Sequence, residues 1–284
     1  MLHVVDQVSE PAPGRHNEDI VGATPRLAWA IDGASPVEPP QLHPTSDALW
    51  LAEFLDSRLH TSPRLASTEG VHSVFTILLD ELRKEVGVGQ TRLDPVCSMG
   101  IAIQSAGRVE VGVLGDVSVL VEHQHGVELV TNSAFAEVER RVGNGGLRSH
   151  PLGRSVASRR GAYIRGERAM QVFSAEMPTD FALIKRSWRD TDVRGIVMVT
   201  DGFARVVDPY NIVATFPQLA EAARTVGLRN LLGEIRRCER AITTSERIKR
   251  SDDASGIVLR VTPEVLEETA DRGIPHEPLK DLPA

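Results

Sequence analysis

The chain has 284 residues, of which 41% are hydrophobic and 25% charged, and carries a formal net charge of −7. That length suits one large domain, or at most two small ones, with a sizeable core. The acidic balance lacks the basic footprint that nucleic-acid binding needs. Cys97 and Cys238 are too few for a disulfide framework or a thiolate zinc site and suit a reducing cytosol. No apolar stretch approaches the ~20 residues of a membrane-spanning helix. Residues 1–7 show neither the basic start nor the apolar core of a signal peptide, so a cytoplasmic protein is expected.

In chain order, the first clear strand is the short β-branched and apolar run 27–31, which contains Trp29 as a core residue and ends at Asp32-Gly33. A helix follows over 45–59, with Leu51, Phe54, Leu55 and Leu59 apolar and Thr45 or Ser46 available as its cap. A second helix is predicted over 67–86. Val71, Val74, Phe75, Leu78, Leu79, Leu82 and Val86 form its stripe, Ser67 or Thr68 could cap it, and Gly87 ends it. Next comes a meander. Strand 97–104 turns at Ala106-Gly107, and the runs 109–114 and 117–121 are separated only by Gly115-Asp116, which predicts a hairpin or a bent strand. His123 and His125, just before Gly126, fit a hairpin turn better than a metal pair.

The stretch 143–168 is rich in Gly, Ser and Arg (Arg148, Arg154, Arg159, Arg160, Arg165 and Arg168). It reads equally as a solvated loop or as a surface that steers phosphorylated substrates. Strand 196–199 leads into Asp201-Gly202, a helix is predicted over about 230–242, and Asp252-Asp253 precedes a last strand over 256–261. Residues 263–284 form an acidic, proline-containing tail.

Aspartate is a poor strand residue, so its recurrence at the ends of apolar strands is informative. Each Asp-Gly alone is first of all a turn. Together, Asp32, Asp116, Asp201 and Asp252 end strands that must enter one core, where clustered carboxylates would repel one another and raise their own pKa values. A hard divalent cation relieves that repulsion, and oxygen ligands suit magnesium or manganese. The expectation from the residues is a metal-dependent hydrolase of phosphate esters built on Asp32, Asp201 and Asp252.

The motifs Arg15-His16-Asn17-Glu18-Asp19, Ala30-Ile31-Asp32-Gly33, Leu114-Gly115-Asp116, Val199-Thr200-Asp201-Gly202 and Asp252-Asp253-Ala254-Ser255 stand in this order across nearly the whole chain. In that order they resemble the metal-dependent protein serine/threonine phosphatases of type 2C, and the likeness is to a divergent, bacterial-type member. The resemblance implies an α+β fold: a four-layer α-β-β-α sandwich of two packed antiparallel sheets flanked by helices. The phosphatase-like catalytic domain would span 1–262 and the tail 263–284. It further implies two divalent cations, Mn2+ or Mg2+. Asp32 would bridge them, the Gly33 carbonyl would ligate one, Asp201 and Asp252 would complete the first, and Glu18 and Asp19 would support the second. Asp116 would belong to a third, more weakly held metal. The implied chemistry is hydrolysis of phosphoserine and phosphothreonine in proteins by a metal-bridged hydroxide, with no covalent phosphoenzyme. The implied partner is a phosphorylated protein, and neither nucleic acid nor membrane is expected.

Several positions depart from the family pattern. Gly14 holds the place of the phosphate-binding arginine, leaving the adjacent Arg15 as the candidate for substrate binding. Arg205 stands where a second third-metal aspartate is usual. Asp253 replaces a common asparagine, Cys97-Ser98-Met99 replaces Gly-Ser-Thr, and Ala34-Ser35-Pro36 supplies no general acid. Two alternatives stay open on these grounds: a catalytically weak or inactive member that serves as a binding module, and a phosphatase of a small phosphorylated metabolite.

Overall fold

The structure, a computed structural model, describes residues 1–87, 93–138, 155–241 and 251–264. Among the described residues, ten strands form two five-stranded sheets in the orders β1-β10-β9-β6-β7 and β2-β3-β4-β5-β8. Every neighbouring pair is antiparallel. The first sheet contains β1 (Leu2–Glu10), β6 (Ser118–His123), β7 (Gly126–Val130), β9 (Val193–Val199) and β10 (Ala254–Val261). The second contains β2 (Asp19–Ala23), β3 (Leu27–Gly33), β4 (Cys97–Ser105), β5 (Arg108–Leu114) and β8 (Ile184–Arg189).

Strand alternation divides the core into three apolar interfaces. Leu27, Trp29 and Ile31 of β3 and Met99, Ile101 and Ile103 of β4 pack against helices α1 (Asp47–Thr61) and α2 (Val71–Val86). Ala28, Ala30 and Ala102, on the opposite faces of the same strands, meet Val119, Ile196, Met198, Ile257 and Leu259 of the other sheet. Residues there are small for a reason: a Cβ on Gly100 would stand 2.8 Å from Val117 Cγ1. On the outer face of the first sheet, Val197, Val199 and Val258 pack against α4 (Phe216–Thr225) and α5 (Leu228–Ala241). The four-layer sandwich follows from these three seams.

Ser46 caps α1, accepting from the amides of Ala48 and Leu49, and Gly87 at φ 76° ends α2. α2 begins at Val71, not at 67. Gly70 holds the cap, and the Val71 amide is satisfied by Glu110 Oε2 at 3.1 Å, a favourable charge at a helix N-terminus. β4 and β5 turn at Ala106-Gly107, with φ 50° and 71° and Ser105 opposite Arg108. β6 and β7 turn at Gln124-His125. The runs on either side of Gly115-Asp116 do not form a hairpin: β5 belongs to one sheet and β6 to the other. Both are apolar because both line the seam between sheets, and Gly115, at φ 84°, lets the chain cross that seam. The Arg-rich stretch contributes α3 (Val156–Ile164), while Arg148 and Arg154 lie outside the described residues, as does 265–284 of the tail.

Candidate metal centre

On β3, Leu27, Trp29 and Ile31 face the helices, so Asp32 falls on the face turned to the other sheet. Asp19, the first residue of β2, is its register partner. On β9, Ile196 and Met198 face the seam and Thr200 continues that face. Antiparallel pairing sets Val199 beside Gly256, so the end of β9 and the approach to β10, where Asp252 and Asp253 lie, share one end of the sandwich. Asp116 arrives at the same end through the crossover after β5. Thus topology gathers residues nearly the whole chain apart.

The contacts confirm the convergence. The Asp201 amide points to Asp32 Oδ2 at 3.4 Å. Thr200 Oγ1 donates to Asp19 Oδ2 at 2.7 Å. Ser98, the register partner of Asp32 on β4, donates to Asp116 Oδ1 at 2.5 Å. Burial, followed by the charges of Asp201, Asp19, Asp116 and Asp252, pushes the Asp32 carboxyl well above the ordinary carboxylate range. Burial likewise raises Asp19. The hydrogen bond from Thr200 works against that shift, and the charges of Asp201, Asp253 and Asp252 add to it.

The glycine beside each of Asp32, Asp116 and Asp201 has a packing cause. A Cβ on Gly33 would stand 2.7 Å from the Glu18 carbonyl oxygen, which accepts the Gly33 amide at 3.1 Å. On Gly202 it would stand 1.9 Å from the Asp253 carbonyl oxygen, and on Gly115 2.1 Å from Ser98 Oγ. The aspartates are therefore delivered by backbone segments in direct contact.

Asp253 acts as a clamp. Its Oδ1 accepts from the Ala12 amide at 2.7 Å and its Oδ2 from the Glu18 amide at 2.8 Å. These two bonds pin both ends of the loop that carries Arg15, which is itself exposed. Glu18 is tied to the Ser46 hydroxyl and is not among the charges that dominate at Asp19 and Asp32. Arg205 stands one turn after Asp201, and its Nη2 donates to Asp252 Oδ2 at 3.0 Å. Burial opposes its charge, but Asp201, Asp252 and a hydrogen bond with Tyr210 together outweigh burial and raise the guanidinium above its ordinary value.

Among the described residues, no three His, Cys, Asp or Glu side chains are already drawn together tightly enough to hold a metal ion. The donor chemistry nonetheless fits one. Asp19, Asp32, Asp116, Asp201 and Asp252 offer only carboxylate oxygen, as a hard divalent cation prefers. Burial and neighbouring carboxylates disfavour the ionised form of Asp19 and Asp32, and such a cation would favour it. Asp252 accepts from Arg205, and Glu18 accepts from Ser46.

No protein-family model and no curated protein sequence matches the chain. Solved structures do. The serine/threonine phosphatase PstP/Ppp of Mycobacterium tuberculosis superimposes with a TM-score of 0.57 at 14% identity, over 92% of this chain and 98% of that one. The PstP catalytic domain in complex with two manganese ions gives 0.56 at 15% identity, with the same coverage. Stp1 of Staphylococcus aureus gives 0.55 at 12% identity, over 92% of this chain and 96% of that one. The chain has the type 2C phosphatase fold. Within the type 2C fold, the two five-stranded sheets and flanking helices agree with the architecture expected from the motifs.

Four participants escaped the sequence reading. Ser46, Thr200 and Ser98 hold carboxylates from elements remote in sequence. Arg236 of α5 binds the Asp252 carbonyl at 2.8 Å and Glu239 Oε2 at 2.9 Å. A buried arginine one turn from a buried glutamate on an otherwise amphipathic helix is the signal that could have flagged the last pair. Among the described residues, no helix is long and apolar enough to cross a membrane.

Proposed function

We propose that this chain is a Mn2+- or Mg2+-dependent phosphatase acting on phosphoserine and phosphothreonine in proteins. The observation that carries the reading is the convergence of Asp19, Asp32, Asp116, Asp201 and Asp252 at one end of the inter-sheet seam, with Asp19 and Asp32 raised by burial and then by the charges around them. In this reading Asp32, Asp201 and Asp252 hold one cation. Asp32, the Gly33 carbonyl, Glu18 and Asp19 hold a second, directly or through water. Cations so placed would acidify a water and bind phosphoryl oxygens.

The chain's own groups do the rest. Thr200 fixes the Asp19 carboxylate, and Ser98 fixes that of Asp116. Asp253 holds the 12–18 loop so that Arg15, between the two anchored amides, can present its planar fork to a phosphate. Arg205 places positive charge beside Asp201 and Asp252, which opposes a third cation near Asp116. The two free cysteines, with Cys97 fully buried, accord with a reducing cytoplasm, where a signalling phosphatase would act.

The test is hydrolysis of a chromogenic phosphate monoester by metal-stripped protein, with and without added manganese. Metal-dependent turnover that Asp201→Asn abolishes is the expected result, and turnover unaffected by either change sinks the proposal. A panel of phosphopeptides and small phosphorylated metabolites then separates the protein substrate from its small-molecule alternative.

A further inference from the structure

The ladder between β1 and β10 runs from Leu2 opposite Val261 to Glu10 opposite Ala254 and stops there. Pro11 follows Glu10 and has no N–H, so it can donate no further rung. Both strand extensions matter to the site, because one leads into the loop that carries Arg15 and the other holds Asp252. Arg236 of α5 is 8% exposed and lies across the two. Its Nη2 donates to the carbonyls of Glu10 and Pro11 at 3.2 and 3.1 Å, and its Nη1 donates to the Asp252 carbonyl at 2.8 Å. Nη1 also donates to Glu239 Oε2 at 2.9 Å, on the same helix. The planar fork thus joins the two segments where the backbone ladder cannot. They are not equally secured by other means. Residues 252–253 pack against Gly202, where a Cβ would stand 1.9 Å from the Asp253 carbonyl oxygen, and continue directly into β10. The loop hangs on Asp253 through the Ala12 and Glu18 amides and on Ser9 Oγ through Asn17 Nδ2 at 2.6 Å.

We propose that Arg236 is a positioning residue for phosphate binding, which sets the Arg15 loop against the Asp252 segment and touches neither substrate nor reacting atoms itself. The inference rests on the phosphatase reading of the site. Its physical basis is the reach of a guanidinium: two nitrogens at a fixed angle can hold carbonyls of two chain segments at once, whereas an ammonium offers one centre. Burial makes the arrangement stiff, because each carbonyl that loses its donor has little water to replace it. Loss of Arg236 therefore falls on the less secured partner, the loop, and reaches the reaction as a displaced Arg15.

The test is steady-state hydrolysis of a chromogenic phosphate monoester with manganese, each variant assayed well below its own melting temperature. Hydrogen exchange at the Ala12 and Glu18 amides gives a readout that needs no activity. Wild type is compared with Arg236→Lys, Arg236→Met and Leu78→Ala. Leu78 is 0% exposed between the second sheet and α2, so its truncation lowers stability without touching the loop. Arg236→Lys keeps the charge and loses the fork. It is expected to raise KM about tenfold, the equivalent of about 1.4 kcal/mol. Its kcat should change by less than about threefold, and both amides should exchange faster. Arg236→Met should show at least the same KM rise, and Leu78→Ala should keep the wild-type KM. Should Arg236→Met not fold, Arg236→Lys alone decides the matter. An unchanged KM in the folded Arg236 variants, or an equal rise in Leu78→Ala, overturns the positioning role and leaves the phosphatase reading standing. Wild type without manganese-dependent turnover overturns that reading and this inference with it.

Discussion

Asp253 gives the sharpest quantitative handle, because its two bonds run to opposite ends of the loop carrying Arg15. In Asp253→Ala the Ala12 amide, on a residue only 2% exposed, loses a charged acceptor and cannot be rehydrated. A hydrogen bond of that kind is worth about 1.5–3 kcal/mol. The Glu18 amide is partly exposed and recovers some of its loss to water, leaving about 0.5–1.5 kcal/mol. The sum is about 2–4.5 kcal/mol, which for a domain of this size lowers the melting temperature by roughly 4–18 °C. Asp253→Asn keeps one acceptor oxygen and turns an N–H toward the other donor, so about half of that loss is expected. The loop is also freed. The two substitutions should therefore raise KM for a phosphopeptide more than they lower kcat, since Arg15 would lose its fixed position while the carboxylate cluster stays in place. Thermal unfolding followed by circular dichroism, with steady-state kinetics alongside, measures both effects. A melting-temperature change below about 1 °C for Asp253→Ala would show that the clamp contributes nothing and that the reasoning about it is wrong.

Other predictions concern charge and close packing. Asp19 and Asp32 have raised carboxyls in the folded chain, so the native state holds protons that the unfolded chain releases above its ordinary value of 3.8. Stability of the metal-stripped protein should accordingly be greatest at low pH with respect to these two groups and fall as pH rises above 3.8 toward their raised folded values. Manganese should flatten that fall, and urea titrations across pH with and without metal would reveal a parallel loss if the cluster does not bind it. Arg160→Met removes the partner of buried Asp94 and the donor to the Ser35 carbonyl at 2.8 Å, and should cost about 3–5 kcal/mol in chemical denaturation. Gly202→Ala drives a Cβ to 1.9 Å from a backbone carbonyl and should abolish soluble expression or shift the circular-dichroism melt by more than any of the other substitutions.

Much of the fold was legible because its central strands are apolar on both faces. β3, β4, β5, β6, β9 and β10 each border helices on one side and the other sheet on the other, and read as short hydrophobic runs. The edge strands carry no such signal. β1 exposes Val4 and Val5, and β8 reads Ile-Lys-Arg-Ser-Trp-Arg because most of its length faces solvent. The hairpin expected around Gly115-Asp116 failed for a related reason. Apolar runs either side of a turn look alike whether they pair with each other or enter opposite sheets, and only the sheet order separates the two cases. α4 escaped because Leu219, Ala220 and Ala223 are few and small for a helical stripe.

At the site, Asp32, Asp201 and Asp252 stood out because aspartate at the end of an apolar strand is unusual. The groups that orient them did not. Thr200 meets Asp19 across 181 positions and Asp253 meets Ala12 across 241, separations at which no local spacing rule operates. Asp253, noted from the sequence only as a replacement for a common asparagine, accepts from two backbone amides. Arg205 was noticed only as a cation in the wrong place, whereas the structure gives it two acidic neighbours.

The three adjacent aspartate and glycine pairs, Asp32-Gly33, Gly115-Asp116 and Asp201-Gly202, carry a lesson about descent. Their glycines sit where a side chain would strike Glu18, Ser98 or Asp253, so selection for folding alone keeps them. Their aspartates bring mutual repulsion into a buried seam, and only selection for what that charge accomplishes keeps those. The two halves of each pair answer to different pressures. In lineages that abandon the chemistry, the glycines should outlast the aspartates.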